Sequence, residues 1–167
     1  FYLTNIFPIY RESIWNLLKD DKSYDFHFFF SNQDLSGIKS ISSDQHSKYH
    51  EVKNHFFMGR LIWQSKFLKK FIINKPDILI LLGEMNIISN WILVVIARIY
   101  NIRVYYWGHG VYGNENYIKN YFRILHLKLA NGLILYGKWS KSKLMRIGFD
   151  KKKLHVVYNS INYDQQL

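Results

Sequence analysis

Four short stretches of this sequence carry side chains that could do chemistry at the end of a strand. They are Pro8-Ile9-Tyr10-Arg11, Gly83-Glu84, Gly108-His109-Gly110 and Tyr136-Gly137-Lys138. The third is the most informative. An apolar run, Ile102 to Trp107, reads as a buried strand and breaks into a loop holding Gly108, Gly110 and Gly113 around one histidine. Glycines at such a place let the backbone approach a ligand and take up positive φ. His109 could serve there as acid, base or hydrogen-bond donor, or it could be a structural residue of a tight turn. Glu84 could bind sugar hydroxyls or act as a base; it could equally be a carboxylate answering a helix dipole. Arg11 could grip a phosphate or carboxylate bidentately or stand solvated at a helix start. Lys138 opens a basic helix and reads as surface charge. His46, His50 and His55 are scattered without metal-ligand spacing, so no metal is expected. No Gly-x-Gly-x-x-Gly follows the first strand and no Gly-rich loop ends in Gly-Lys-Ser/Thr. A nicotinamide enzyme and a P-loop NTPase are therefore set aside, and no cofactor is expected.

The elements that must position these residues alternate strand and helix along the chain. Phe1–Ile6 reads as a strand and Tyr10–Lys19 as a helix, from Ile14, Leu17 and Leu18 at helical spacing. Tyr24–Phe30 reads as a strand and Ile38–Ser42 as a short one, whereas Ser43–Gly59 has no clean period and reads as irregular. A helix is expected over Arg60–Ile73, with Leu61, Leu68 and Ile72 toward the core and Trp63, Phe67 and Phe71 in a second row flanked by lysines. Ile78–Leu82 is a continuous apolar run, as suits a parallel strand covered on both faces. Ser89 is a candidate cap for the next helix. Ile118, Tyr121, Phe122, Leu125 and Leu129 fall on one helical face and are expected to be core. Leu133–Tyr136, the helix Trp139–Ile147 and the strand Leu154–Tyr158 complete the series. Successive βα units imply an α/β fold with a three-layer parallel sheet. In such sheets ligands bind beyond the carboxyl ends of the strands, where all four stretches lie.

Composition bounds the partners. Half of the 167 residues are apolar (49%), 18% are aromatic, and there is no cysteine, which excludes a disulfide framework or a Cys nucleophile. A net charge of +11 favours anionic partners. The longest apolar stretch, Ile87–Ile102, carries Asn90, Arg98 and Asn101, too polar and too short for a membrane span. The absence of cysteine fits a cytoplasmic protein, and the Trp63, Phe67 and Phe71 row with Lys66, Lys69 and Lys70 suits a peripheral place on the inner face of a membrane; the alternative is that these aromatics complete the core and the lysines solvate it.

The motifs also resemble a known family. Leu3 through Arg11, Gly83-Glu84 with Ser89-Asn90-Trp91, and Trp107-Gly108-His109-Gly110 look like the amino-terminal domain of family-four glycosyltransferases. Gly148-Phe149-Asp150 through Leu154 to Asn162 is similar to that family's crossover into a second domain, with Ser160 and Asn162 where the family has Gly and Asp. The resemblance implies residues 1–167 as one Rossmann-like half of a GT-B fold, ending near the interdomain crossover, with the donor-binding domain not included. It implies a retaining transferase using a nucleotide-sugar donor and a sugar or lipid-linked saccharide acceptor, in bacterial surface polysaccharide or lipopolysaccharide synthesis. His109 takes the catalytic position, and Tyr10, Arg11, Glu84, Gly108 and Gly110 the substrate-binding ones. The 167 residues alone are expected to transfer no sugar, since catalysis needs the donor held against the acceptor. Two other readings are part of a GT-B nucleotide-sugar epimerase and a non-enzymatic basic nucleic-acid-binding domain; no nucleic-acid signature supports the last.

Overall fold

The computed structural model describes residues 1–32 and 37–159. They form two compact units, Phe1–Asn74 and Lys75–Asn159. Ser160 to Asn162, the end of the closing motif, lie outside the described residues.

The first unit has three parallel strands in the order β3-β2-β1: β1 (Tyr2–Leu3), β2 (Phe28–Phe30) and β3 (Tyr49–Glu51). All three phenylalanines of β2 are buried. Helix α1 (Glu12–Lys19) sends Trp15 into the core, where it stacks on Phe7 at 4.5 Å; Phe7 stacks on Phe30 at the same distance. Aromatic pairs of this kind add about 0.5–1.5 kcal/mol beyond their burial.

Several expected elements of this unit are corrected. The strands expected over Phe1–Ile6 and Tyr24–Phe30 are shorter, and Ile38–Ser42 supplies only an antiparallel bridge from Ser40 to Pro8. Residues 43–59 are not irregular: they contain β3 and β4 (Lys53–Phe57). The expected helix over Arg60–Ile73 begins late. Leu61–Ser65 is a strand, β5, paired antiparallel to β4, and only Phe67–Asn74 is helical, as α2. The hairpin turn is closed by the Arg60 N–H donating to the Phe57 carbonyl, with φ of 50° at Met58 and 68° at Gly59. Positive φ at both central residues is the turn geometry that matches strand twist.

Two of the three buried residues of the hairpin, Asn54 and Gln64, are polar and only Ile62 is apolar, which is why hydropathy missed it. Asn54 donates to the Asn5 carbonyl and Gln64 to the Thr4 carbonyl, each at 2.9 Å. The pair thus holds the loop that follows β1. The aromatic row is also corrected. Phe67 and Phe71 are fully buried, Phe67 against Phe29 at 4.8 Å, and Trp63 belongs to β5. Phe67 and Phe71 are core and Trp63 is half-buried, so the three form no exposed row on one helix.

The second unit has four parallel strands in chain order: β6 (Ile78–Leu82), β7 (Arg103–Gly108), β8 (Gly132–Leu135) and β9 (Leu154–Val156). They are joined by α3 (Ile88–Ile99), α4 (Tyr117–Lys128) and α5 (Lys138–Arg146). Right-handed crossovers between sequential parallel neighbours place these helices on one face of the strands. Trp91 of α3 lies 4.6 Å from the His126 ring of α4, and Arg98 donates to the Leu129 carbonyl just past α4. Ser89 does not cap α3; Ile87 holds the cap position and Ser89 is buried in the first turn. The face expected to bury α4 is likewise corrected. Ile118, Tyr121, Phe122 and Leu125 are exposed, and Arg123, His126 and Leu127 are buried instead. No helix among the described residues is long and apolar enough to cross a membrane.

The alternation of parallel strands and helices is the Rossmann-like α/β pattern expected from the sequence.

Candidate functional site

The carboxyl ends of β6, β7 and β8 bring Glu84, Gly108-His109-Gly110 and Tyr136 into one neighbourhood of the second unit. His109 follows the last residue of β7 and is exposed. Its ring packs edge-on to Tyr136 at 4.8 Å and tilted against Tyr112 at 5.3 Å. The loop beneath it is clasped by a buried hydroxyl on α5. Ser140 Oγ donates to the His109 carbonyl at 2.5 Å and accepts from the Val111 N–H at 3.3 Å. Gly110 is required on two counts: φ is +73°, and a Cβ would lie 2.8 Å from Ser140 Oγ and 2.9 Å from Leu135 Cδ2.

Glu84 follows Gly83 at the end of β6. It is not a dipole partner of α3, whose first turn contains no acid. Its carboxylate is held from α4 and from the loop before it. Tyr112 donates its hydroxyl to Glu84 Oε1 at 2.5 Å, and Arg123 Nη1 stands 3.6 Å from Oε2. Arg123 is in turn gripped by Glu115, through Nε at 2.5 Å and Nη2 at 2.8 Å, and its guanidinium lies 4.5 Å from the centre of the Tyr112 ring. Lys119 reaches Glu115 at 3.0 Å. Two carboxylates therefore face one guanidinium and one ammonium, which is how a charge this deep is tolerated.

The electrostatics follow from these contacts. Burial, then the hydrogen bond to Glu84, pushes the Tyr112 hydroxyl well above the usual phenol range, so it remains a donor. The Arg123 hydrogen bonds hold the Glu115 carboxyl below the usual carboxylate range. Burial works against the Arg123 charge, but Glu115 and Glu84 outweigh it and raise the guanidinium. Glu84 thus presents a positioned carboxylate next to an exposed imidazole and two phenol rings. That set can hydrogen-bond hydroxyls and cover an apolar ring face, and the imidazole can move a proton.

Tyr10 and Arg11 lie in the first unit, on a 3-10 turn at Ile9–Arg11. The turn is anchored by Trp15, whose indole donates to the Pro8 carbonyl at 3.2 Å. Tyr10 is exposed and the Arg11 guanidinium lies 5.6 Å from its ring centre. Lys138 is exposed at the start of α5. The three scattered histidines go separate ways: His50 hydrogen-bonds His27, the His46 ring accepts from the Lys48 N–H, and His55 bonds Ser65. Among the described residues no group of three or more His, Cys, Asp or Glu could hold a metal ion.

Sequence reasoning missed Tyr112, Glu115, Arg123 and Ser140. Arg123 lies outside all four stretches singled out in the sequence. Its signal was the wheel of α4, where Asn120, Arg123 and Leu127 share a second face that also carries apolar residues.

No family model matches the chain, and no curated protein matches it. Solved structures do. UDP-GlcNAc 2-epimerase from Methanocaldococcus jannaschii is 17% identical with a TM-score of 0.61, covering 94% of this chain and 45% of that one. The same enzyme in complex with UDP-GlcNAc and UDP is 18% identical with a TM-score of 0.62, covering 94% and 46%. The chain spans about half the length of the solved structures it matches. At these identities the likeness is one of fold, a Rossmann-like α/β arrangement.

Proposed function

We propose that this chain forms the acceptor-side half of a retaining glycosyltransferase that uses a nucleotide-sugar donor. On this reading it acts in bacterial surface polysaccharide or lipopolysaccharide synthesis, on a sugar or lipid-linked saccharide. The observation that carries the proposal is the exposed His109 between two tyrosines, beside a carboxylate, Glu84, held by Tyr112 and Arg123. A sugar offers hydroxyls to carboxylate and imidazole, and an apolar ring face to the phenols. His109 would accept or donate the proton exchanged with a substrate hydroxyl. Glu84 would orient a second hydroxyl, and the Gly108–Gly110 backbone would let the substrate approach. Tyr10 and Arg11 of the first unit are proposed as substrate-binding residues in their own right.

The likeness to a UDP-GlcNAc 2-epimerase favours a second reading, in which the same carboxylate and imidazole serve proton transfer at a sugar carbon. The two differ in what they need. Transfer requires an acceptor and releases the nucleotide; inversion at C2 of UDP-GlcNAc requires none.

The test is to incubate the full-length protein with UDP-sugars in heavy water, with and without saccharide acceptor extracts, and to follow products by NMR and mass spectrometry. Acceptor-dependent nucleotide release supports the transferase. Acceptor-independent inversion at C2 with uptake of solvent deuterium replaces it with the epimerase. His109→Ala should lower either turnover by about 10²–10⁴-fold, the usual contribution of a positioned acid or base. Unchanged turnover, with folding intact, removes His109 from the chemistry.

A further inference from the structure

Among the described residues, the face of α4 opposite Arg123, His126 and Leu127 is left exposed. Tyr117, Ile118, Tyr121, Phe122 and Leu125 are exposed by 85, 69, 57, 49 and 41%. These residues recur at one-turn spacing and form a continuous apolar stripe on a helix of 12 residues. Trp139, at the start of α5, is exposed by 58% and carries Lys143 5.1 Å from its ring centre. The loop that leads from His109 to α4 runs against this tryptophan: a Cβ on Gly113 would lie 2.8 Å from Trp139 Cη2. Trp139 therefore borders the loop of the candidate site.

Charge tells what covers it. From Met85 to Phe149 the chain carries nine lysines and arginines and a single carboxylate, Glu115. That carboxylate is 5% exposed and spent on Arg123 and Lys119. The helices of the second unit thus present apolar side chains among cations, with no exposed carboxylate between them. A second copy in an isologous contact would bring like charges together. Nucleic acid would pair with the lysines but leave the aliphatic side chains in water. A bilayer with anionic headgroups satisfies both, since tyrosine and tryptophan settle at the headgroup level while lysines meet the phosphates.

We propose that the outward face of α4, with Trp139 and Lys143 of α5, docks on an anionic membrane surface. The helix lies in the interfacial plane with Ile118 and Phe122 among the upper acyl carbons. Lys128 and Lys143 lie at the headgroups, and the His109 loop is next to the lipid. This surface differs from the buried Phe67–Phe71 row, and it stands whichever sugar chemistry the site performs.

The experiment is co-sedimentation of the protein with vesicles of phosphatidylcholine alone or in equal parts with phosphatidylglycerol. Binding is expected only with the anionic lipid and should weaken steeply as salt rises to about 0.5 M. Ile118→Ser with Phe122→Ser should reduce partitioning about tenfold or more, and Lys128→Glu should reduce it about fivefold or more. All these side chains are exposed, so circular dichroism and thermal melting should match the parent. As a second readout, brominated lipid should quench fluorescence, and Trp139→Phe should remove much of that quenching. Equal binding to neutral vesicles, no vesicle binding, or unchanged binding by the serine variant overturns the proposal. So does concentration-dependent dimerisation that the serine variant abolishes. Salt-sensitive binding to duplex DNA without vesicle binding overturns it in favour of nucleic acid.

Discussion

Replacing Arg123 with methionine probes the charge cluster behind the candidate site. The side chain is 4% exposed and Glu115 is 5% exposed, so neither charge is solvated in the fold. Methionine fills similar volume but leaves the Glu115 carboxylate with one ionic partner, Lys119, whose own side chain is 54% exposed. Removing one member of a buried pair costs about 3–5 kcal/mol; the surviving Lys119 contact places Arg123→Met near the lower end. Glu115→Met should cost somewhat less, because Arg123 keeps Glu84 at 3.6 Å. The double variant leaves no orphan at this pair, so its loss should fall below the sum of the singles by about 2 kcal/mol, within the range of direct neighbours. Urea unfolding of the four proteins gives the coupling. The pH dependence has a fixed sign. The Glu115 pKa is depressed in the fold, so its stabilising contribution is present above the unfolded carboxylate value and is lost as pH falls through the depressed one. The penalty of Arg123→Met should therefore shrink in acid. Additive losses, or a penalty independent of pH, would refute the claim that these residues act as a unit.

Three further outcomes follow from the same unit. His126 is fully buried between Trp91 and Tyr106, with neither ring nitrogen hydrogen-bonded, and burial, with Arg123 adding to it, holds its pKa down to about 4. Between pH 6.5 and 4 the unfolded chain takes up a proton that the fold refuses, so stability falls by up to about 3 kcal/mol over that window. His126→Phe should be at least as stable at neutral pH and lose that part of the slope; denaturant melts showing an unchanged slope would contradict it. Gly110→Ala forces an alanine to φ +73° against Ser140 and Leu135, and should cost about 1–3 kcal/mol in the same melts. Ser140→Ala removes the hydroxyl shared by His109 and Val111 and should cost about 1–3 kcal/mol. Amide exchange should speed at Val111 and stay unchanged in β6; protection at Val111 equal to the parent's would count against the clasp.

The second unit was largely legible from sequence, because its signals are local. Ile78–Leu82 and Ile102–Trp107 are apolar runs of strand length ending in glycine, and polar groups at their ends mark the ligand side of such a fold. Glu84 and His109 were found for that reason. The first unit hid its hairpin. Asn54 and Gln64 are buried because two loop carbonyls, those of Asn5 and Thr4, need donors, and no periodicity records a partner some fifty or sixty residues away. That same long-range pairing kept Leu61–Ser65 out of the helix and turned Phe67 and Phe71 into the core. On α4 the composition allowed two faces. Burial of Arg123 became possible only once Glu115, Glu84 and the Tyr112 ring surrounded it, and that choice left Phe122 and its neighbours facing outward. Sequence by itself determined the alternation of strand and helix and the strand ends where chemistry can sit, since both depend on neighbours in the chain. Tertiary structure decided which polar groups are buried and which apolar face is left uncovered, because a buried charge is tolerated only where its partners converge in space.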